Sequence, residues 1–255
     1  MSNYARTIAG RKRSEAADLQ LGFTLAFIAG AINAGGFLAV QQYTSHMTGI
    51  VSSVADNIVL GNQDLVLSGI GGLISFLLGA SSSSIMVNYA KRHKMHSQYA
   101  LPLLCESLLL LCFGFLGARL ANYDALFVPL TVMLLCFIMG LQNAMITKLS
   151  HSVIRTTHIT GIITDIGIEL GKLFYWNASK TINLPKVLAN RKHLKVLSLL
   201  ASLFFLGGVI GACGFKYIGY LSTLPLALTL FAMGILPAID DLLVFMRLRV
   251  RKKRR

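Results

Sequence analysis

Long runs of apolar residues separated by short polar gaps dominate this chain. Six of them are long: Leu19–Val40, Leu65–Tyr89, Leu101–Ala121, Ala125–Thr147, Leu194–Phe215 and Ile218–Ile239. A helix needs about 20 residues to cross a hydrocarbon core about 30 Å thick, so each run is long enough to span a membrane. None shows the two-residue alternation of a transmembrane barrel strand. The pattern predicts an all-α, polytopic helical membrane protein.

Two shorter segments, Ser45–Gly61 and Thr157–Gly171, interrupt the long runs and resemble each other. Residues 46–49 read His-Met-Thr-Gly and residues 158–161 read His-Ile-Thr-Gly. Upstream of each, the pattern Gly-x-x-Asn-Ala places Asn33 and Asn143 near the end of a long run. We interpret the chain as an internal duplication, with a first transmembrane repeat over 19–121 and a second over 125–246.

The distribution of basic residues favours one topology. If the short segments do not cross, six spans with a cytoplasmic N-terminus leave 22 of the 24 basic residues inside. If both cross, the count falls to 18. The positive-inside rule therefore prefers six spanning helices plus two short half-membrane segments in inverted repeats. Seven or eight spanning helices are the alternative.

Composition and charge exclude several classes of protein. Hydrophobic residues make up 55% of the chain and charged residues 13%, which excludes a soluble globular domain. The net charge of +14 is concentrated in the gaps between runs and in two tails, 1–18 and 247–255. We expect both tails to be cytoplasmic and to meet anionic lipid headgroups, with no role in nucleic-acid binding. No cofactor or metal motif is expected; an oligomer and a small-molecule or ion substrate stay open.

Acidic residues in the short segments are candidates for an ion site. Asp56, Asp165 and Glu169 are costly inside a membrane unless water, a cation, a proton or a basic partner compensates them. Lys172, three residues after Glu169, is one such partner. Asn57 occupies the position corresponding to Glu169 on the polar face of the first segment. The alternative is a helix at the cytoplasmic surface with hydrated carboxylates.

The repeated motif supplies the other candidates. His46 and His158 could relay a proton or bind a polar solute. Thr48 and Thr160 are expected to cap the helices that follow, with Gly49 and Gly161 allowing a turn or close packing. The starts of these helices favour anions whereas the carboxylates favour cations, so the charge of the substrate stays open.

Three further polar residues lie in the long runs. Asn33 and Asn143 either join helices by hydrogen bonds or line a pore. Glu106 is expected to reach the cytoplasmic surface by snorkelling.

These motifs resemble the YoaK-like family of bacterial membrane proteins, a domain of unknown function. The resemblance rests on Gly36-Phe37, on residues 46–49 and 155–161, on Thr164-Asp165 and on Gln142-Asn143-Ala144, and it covers about 19–247. It implies a multi-pass protein of the bacterial plasma membrane and brings no catalytic residues or substrate.

Three functions compete at this point. The duplication with polar half-membrane segments favours a small-solute or ion transporter or channel with its site at the repeat interface. A membrane scaffold or sensor without transport is the alternative. An intramembrane enzyme is less favoured, because Ser81 lacks the motif context of a nucleophile and no His-Glu-x-x-His motif occurs. We therefore expect no enzyme.

Overall fold

The computed structural model describes residues 15–95, 97–120, 124–149, 159–177 and 186–253, and their regular structure is helical. The described helices are α1 (Glu15–Val40), α2 (Met47–Leu60), α3 (Gln63–Arg92), α4 (Ala100–Leu120), α5 (Asp124–Leu149), α6 (Ile159–Phe174), α7 (Arg191–Tyr217) and α8 (Thr223–Lys253). A 3-10 turn at Gly219–Ser222 connects the last two.

The six predicted runs coincide with the long helices. Within the described residues, five helical stretches are long and apolar enough to cross a membrane: Ala16–Val40, Gln63–Arg92, Pro129–Lys148, Arg191–Tyr217 and Gly219–Leu243. Helix α4 adds a shorter apolar stretch, Ala100–Phe115. The two shorter predicted segments form α2 and α6, of 14 and 16 residues. The all-helical class of the prediction is confirmed.

The most extensive packing between the two halves of the chain is in three helix pairs, α1 with α7, α3 with α5, and α4 with α8. In the first pair, α1 and α7 run parallel, because Phe27, Ala31 and Gly35 meet Gly207, Gly211 and Phe215 in the same order. In the second pair, α3 and α5 also run parallel.

The order of contacts gives the remaining directions. Ser107 Oγ donates to the Ala227 carbonyl (2.8 Å) near the start of α4, and Gly117 faces Tyr220 near its end, so α4 and α8 are antiparallel. Helices α1 and α5 are antiparallel as well, since Gln142 Nε2 donates to the Leu25 carbonyl (3.3 Å) while Gly36 faces Leu135.

Close backbone contacts at glycines hold the two parallel pairs. A Cβ atom on Gly30 would collide with the Phe204 carbonyl, and one on Gly207 with the Phe27 carbonyl. The second pair repeats this arrangement: Gly140 meets the Phe76 carbonyl and Gly79 meets the Phe137 carbonyl. Small residues let helix backbones approach closely, which is the main source of helix association where apolar surface is solvated by lipid.

Solvent exposure recurs along corresponding helices. Each of residues 21–36 in α1 has the same degree of burial as the residue 110 positions later in α5. The same holds for residues 47–59 in α2 and the residues 112 positions later in α6. Corresponding sequence positions therefore occupy corresponding environments in the two halves of the fold.

Given the helix directions, most of the described basic residues lie at one end of the bundle. That end collects the start of α7 and the ends of α3 and α5, with Lys91–Lys94, Lys148 and Arg191–Lys195. The start of α4 and the later part of α8 also lie there, because Ser97 N donates to Asp241 Oδ2 (3.1 Å). The opposite end holds the end of α7, with Lys216, beside the end of α4. We call these the basic end and the opposite end.

Candidate functional site

A cavity of about 660 Å³ lies where the two halves of the chain meet. Its wall comes from long helices, from both short helices and from the segment before α2. The lining residues are Asn33, Tyr43, Ser45, His46, Met47, Thr48, Phe76, Asn143, Ile159, Thr160, Gly161 and Phe204. Corresponding pairs recur among them: Asn33 with Asn143, Thr48 with Thr160, and Phe76 with Phe204.

Asn33 positions the segment that carries the histidine. Its side-chain oxygen accepts hydrogen bonds from the Ser45 backbone amide (3.2 Å) and from Ser45 Oγ (2.9 Å). Both lone pairs of Oδ1 are thereby used, so what Asn33 offers to a ligand is its NH₂ group. The chain leaves α1 through Gln41, whose φ is 54°, and the Phe37 and Tyr43 rings stack with centroids 4.5 Å apart.

His46 stands at the start of α2. The helix begins at Met47 with His46 as its N-cap residue, so Thr48 lies inside the first turn; the expectation that Thr48 caps this helix is wrong. A Cβ atom on Gly49 would collide with the His46 imidazole. Glycine is therefore needed here to let the imidazole lie against the helix.

Helices α2 and α6 reach the cavity from opposite ends of the bundle. The last turn of α2 connects to the start of α3 at the opposite end, where Asn62 N donates to the Asn57 carbonyl (3.0 Å). The last turns of α6 connect to the start of α7 at the basic end. Both helices present their first residues to the cavity, and the first backbone N–H groups of a helix have no partner within it. Two positive dipole ends converge there.

Two of the predicted acidic residues lie away from this cavity. Asp56 and Asp165 are exposed on α2 and α6, and neither lines the wall. No carboxylate, lysine or arginine is among the lining residues of the described chain. Within those same ranges, no group of three or more His, Cys, Asp or Glu side chains could hold a metal ion. The described wall offers hydrogen-bond donors and apolar surface.

Asn57 and Glu169 connect each short helix to the next long one. Both are buried, at 8% and 7% exposure. Asn57 Oδ1 accepts from Asn62 Nδ2 (3.0 Å), and Asn62 is the N-cap residue of α3. Glu169 Oε2 accepts from the backbone amide of Asn190 (2.6 Å), the N-cap residue of α7. These residues hold the helix connections.

The charge of Glu169 is compensated inside the connection. Lys172 Nζ lies 2.7 Å from Glu169 Oε1, as the sequence spacing predicted. The hydrogen bond from Lys172, followed by that from the Asn190 amide, lowers the pKa of the Glu169 carboxyl, so it is ionised at neutral pH.

The structure therefore gathers part of the predicted set. Asn33, His46, Thr48, Asn143, Thr160 and Gly161 share the cavity, while Gly49 supports His46 from α2. His158 lies outside the described residues.

Besides Tyr43, sequence analysis missed the two phenylalanines of the wall, Phe76 and Phe204. Each lies three residues before a glycine that packs against a neighbouring backbone, Gly79 and Gly207. This shared Phe-x-x-Gly spacing is the signal that could have identified them.

Glu106 was also misjudged from the sequence. The side chain is fully buried in α4 rather than extended to a surface, and neither carboxyl oxygen has a hydrogen-bond partner among the described residues. Snorkelling from this position is wrong, because Leu103, Leu110 and Phe113 on the same face of α4 are buried with it.

Apolar helices long enough to span a membrane, with a cavity lined by both halves of the chain, define a multi-pass helical membrane protein. The family profile described as "Protein of unknown function (DUF1275)" matches residues 21–236, and the chain belongs to this family. It is 29% identical to the UPF0700 transmembrane protein YoaK of Bacillus subtilis (strain 168) over 161 residues, which are 62% of this chain and 69% of that protein. No solved structure matches the chain.

Proposed function

We propose that the protein is a transporter or channel for a small solute that accepts hydrogen bonds, foremost a small anion. The observation that carries this proposal is the convergence of α2 and α6 on one cavity between the two halves of the chain. Many transporters bind their substrate near the bilayer midplane, where the ends of broken or short helices from two repeats meet.

The proposal includes a topology of six spanning helices in inverted repeats. With three crossings in each repeat, corresponding helices run in opposite directions, whereas four crossings would make them run the same way. The antiparallel packing of α1 against α5 supports three crossings. In this topology α2 and α6 enter the membrane from opposite sides and end near its middle, where their first residues line the cavity.

Orientation follows from the basic end of the bundle. Positive charge is enriched in cytoplasmic loops, so the basic end faces the cytoplasm of a bacterial cell and both termini of the chain are cytoplasmic. The lysine and arginine residues of the basic end would then meet anionic headgroups, which attract Lys and Arg by about 1 kcal/mol per residue.

The chemistry of the wall favours an anion over a cation. The Asn33 NH₂ group, the Thr48 and Thr160 hydroxyls and the first amides of two helices can all donate hydrogen bonds. The exposed carboxylates of the two short helices, Asp56 and Asp165, lie elsewhere. Phe76 and Phe204 supply the apolar surface that excludes water around a bound solute.

A proteoliposome swelling assay tests this proposal. Purified full-length protein is reconstituted, and swelling is followed by light scattering in potassium nitrate, chloride or formate with valinomycin, and in urea or glycerol. We expect faster swelling in at least one anion than in empty liposomes. Asn33→Ala and His46→Ala should slow it about tenfold, because a lost hydrogen bond to a charged group costs about 1.5–3 kcal/mol.

The chain supplies matched controls. Asp56→Asn and Asp165→Asn change acidic residues of the same two short helices that do not reach the cavity, so they should leave the swelling rate unchanged. Equal loss in these variants would assign the effect to the short helices as a whole. Swelling no faster than in empty liposomes with all five solutes, from folded protein, would contradict the proposal.

A further inference from the structure

Glu106 is the one fully buried carboxyl among the acidic residues whose side chains the structure describes, whereas Glu169 and Asp241 are each 7% exposed. Glu106 lies six residues after the start of α4, about 9 Å along the helix. It is fully buried, and its face of α4 carries the fully buried Leu103 and Leu110, with Phe113 at 2% exposure. Neither Oε1 nor Oε2 has a hydrogen-bond partner in the described chain.

No basic side chain among those that the structure describes compensates Glu106. On α4 itself, the neighbouring titratable residue is the half-buried Cys105. On α5, Cys136 is buried, and Lys148 points its Nζ to Ser84 Oγ (2.8 Å) of α3.

The described side chains of the other helices in contact with α4 place no cation beside Glu106 either. On α3, Tyr89, Lys91 and Arg92 are exposed. Tyr220 of the 3-10 turn packs edge-on against Phe113. On α8, Asp240 and Asp241 are acidic, and Asp241 Oδ2 accepts from the Ser97 amide. Within 4 Å, Glu106 forms no ion pair with any described residue.

An isolated carboxylate in such surroundings is too costly to persist, and the group instead holds a proton. A buried polar group without a partner calls for an explanation, and an ionisable residue inside the membrane is most often part of an ion or proton pathway. A role in stability alone does not explain it, because a leucine or methionine would fill this position without an unsatisfied group.

The packing of α4 connects Glu106 to the candidate site. Helix α4 packs against α5, and α5 carries Asn143 in the cavity wall. Gln142, next to Asn143, is also fully buried, and its Oε1 has no partner among the described residues. A shift of α5 during solute movement would therefore alter the surroundings of Glu106.

We propose that Glu106 is a proton-binding site that couples proton movement to solute movement. This inference rests on the function proposed above. In the conformation described here the carboxyl is protonated and closed off from water. When the protein changes conformation, the O–H bond breaks, the proton passes to water and the carboxylate stays behind until water on the other side returns a proton. Moving a proton together with an anion would reduce the net charge that crosses the membrane in each cycle.

A hydrophobic carbodiimide tests the proton directly. Dicyclohexylcarbodiimide reacts with protonated carboxyls in apolar surroundings, and mass spectrometry locates the adduct in the reconstituted wild-type protein. We expect an adduct on Glu106 at about pH 6 that decreases at higher pH, since the protonated fraction of a titrating carboxyl falls about tenfold per pH unit. The exposed Asp56 and Asp165 serve as internal controls and should give none. Glu106→Gln removes the adduct.

The same samples test coupling. Nigericin is added beside valinomycin, so that protons carried in with the anion leave in exchange for potassium. In wild-type proteoliposomes, adduct formation should abolish swelling in potassium nitrate, chloride or formate, whereas Glu106→Gln should swell equally with and without the reagent. Absence of the adduct at low pH, or suppression of it by sodium ions rather than by alkali, would overturn the proton site. An adduct that leaves swelling intact would overturn coupling. An adduct in protein that passes none of the solutes would uphold proton binding and contradict the proposed transport function.

Discussion

At the scale of single residues, corresponding positions perform the same task with different chemistry. Asn57 and Glu169 both fasten a short helix to the N-cap residue of the following long helix. The asparagine does so by neutral hydrogen bonds, whereas the glutamate accepts from a backbone amide and also pairs with Lys172. A hydrogen bond to a charged group is stronger but depends on protonation.

The connection between α6 and α7 should therefore weaken in acid. The pKa of Glu169 is lower in the folded protein than in the unfolded chain, so its contribution is present above the ordinary pKa of glutamate and lost as pH falls through the folded value. Glu169→Gln should lower the midpoint of thermal unfolding at neutral pH, with the difference from wild type disappearing in acid.

Asp165→Asn is the matched control for this prediction, because Asp165 is exposed one turn earlier on α6. It should leave the midpoint unchanged. A Glu169→Gln protein that unfolds at the wild-type temperature at neutral pH would show that the ion pair adds nothing to the connection.

Glycines in the two short helices differ in what an added methyl group would meet. At Gly49 it would displace the His46 imidazole, whereas nothing lies within 4 Å of a Cβ atom on Gly167. Gly167→Ala should stabilise the protein by up to about 1 kcal/mol through helix propensity. Gly49→Ala should gain no stability and should slow anion swelling as much as His46→Ala. Thermal unfolding and swelling rates on both variants check this, and equal stabilisation by the two would contradict the placement of His46.

At the scale of helices, close backbone contacts at glycines determine which helices pack together. Helices α1 and α7 meet at Gly30 and Gly207, and α3 and α5 meet at Gly79 and Gly140. Each contact places a backbone carbonyl where a side chain would otherwise be. Because lipid solvates apolar side chains as well as protein does, this close fit, rather than hydrophobic burial, distinguishes the correct neighbour.

Two adjacent glycines of α7 allow a controlled test of this fit. A Cβ atom on Gly207 would collide with the Phe27 carbonyl, whereas on Gly208 its nearest neighbour would be the Ala34 Cβ atom at 3.6 Å. Gly207→Ala should destabilise by about 1–3 kcal/mol, the usual cost of overpacking, and Gly208→Ala should be neutral or slightly stabilising. The unfolding temperatures of the two variants and of the wild type, measured in the same detergent, test this prediction. Equal effects of the two substitutions would refute the close packing of α1 on α7.

At the scale of the whole molecule, the sequence predicts helices better than their neighbours. Run length alone identified the long helices, because the requirement for about 20 apolar residues is local. The repeated motif likewise identified Asn33, Asn143, Thr48 and Thr160 as one group. That α1 packs beside α7, a helix of the other half of the chain, depends on contacts between residues far apart in the chain, which no local pattern records.

The wrong expectation at Glu106 and the two alternatives left open at Asp165 have the same origin. Whether a carboxylate faces a cavity, a surface or a packed core depends on which helices surround it, and their arrangement is set by distant contacts. Asp165 is exposed and Glu106 is enclosed. From the sequence, Asp165 was a candidate for an ion site and Glu106 was expected to reach the surface. By contrast, the partner of Glu169 was predictable, because Lys172 lies one turn away on the same helix.

The topology can be tested by labelling single cysteines with an impermeant maleimide in intact cells, after alanine replaces the native cysteines. Gln63 and Lys94 flank α3 and both are exposed, whereas Ser97 is unsuitable because it is buried against Asp241. Six spans place Gln63 outside and Lys94 inside. We therefore expect Gln63→Cys to be labelled at once and Lys94→Cys only after the cells are opened. The reverse result would mean that α2 crosses the membrane, and the opposed entry of α2 and α6 at the cavity would then fail together with the anion site built on it.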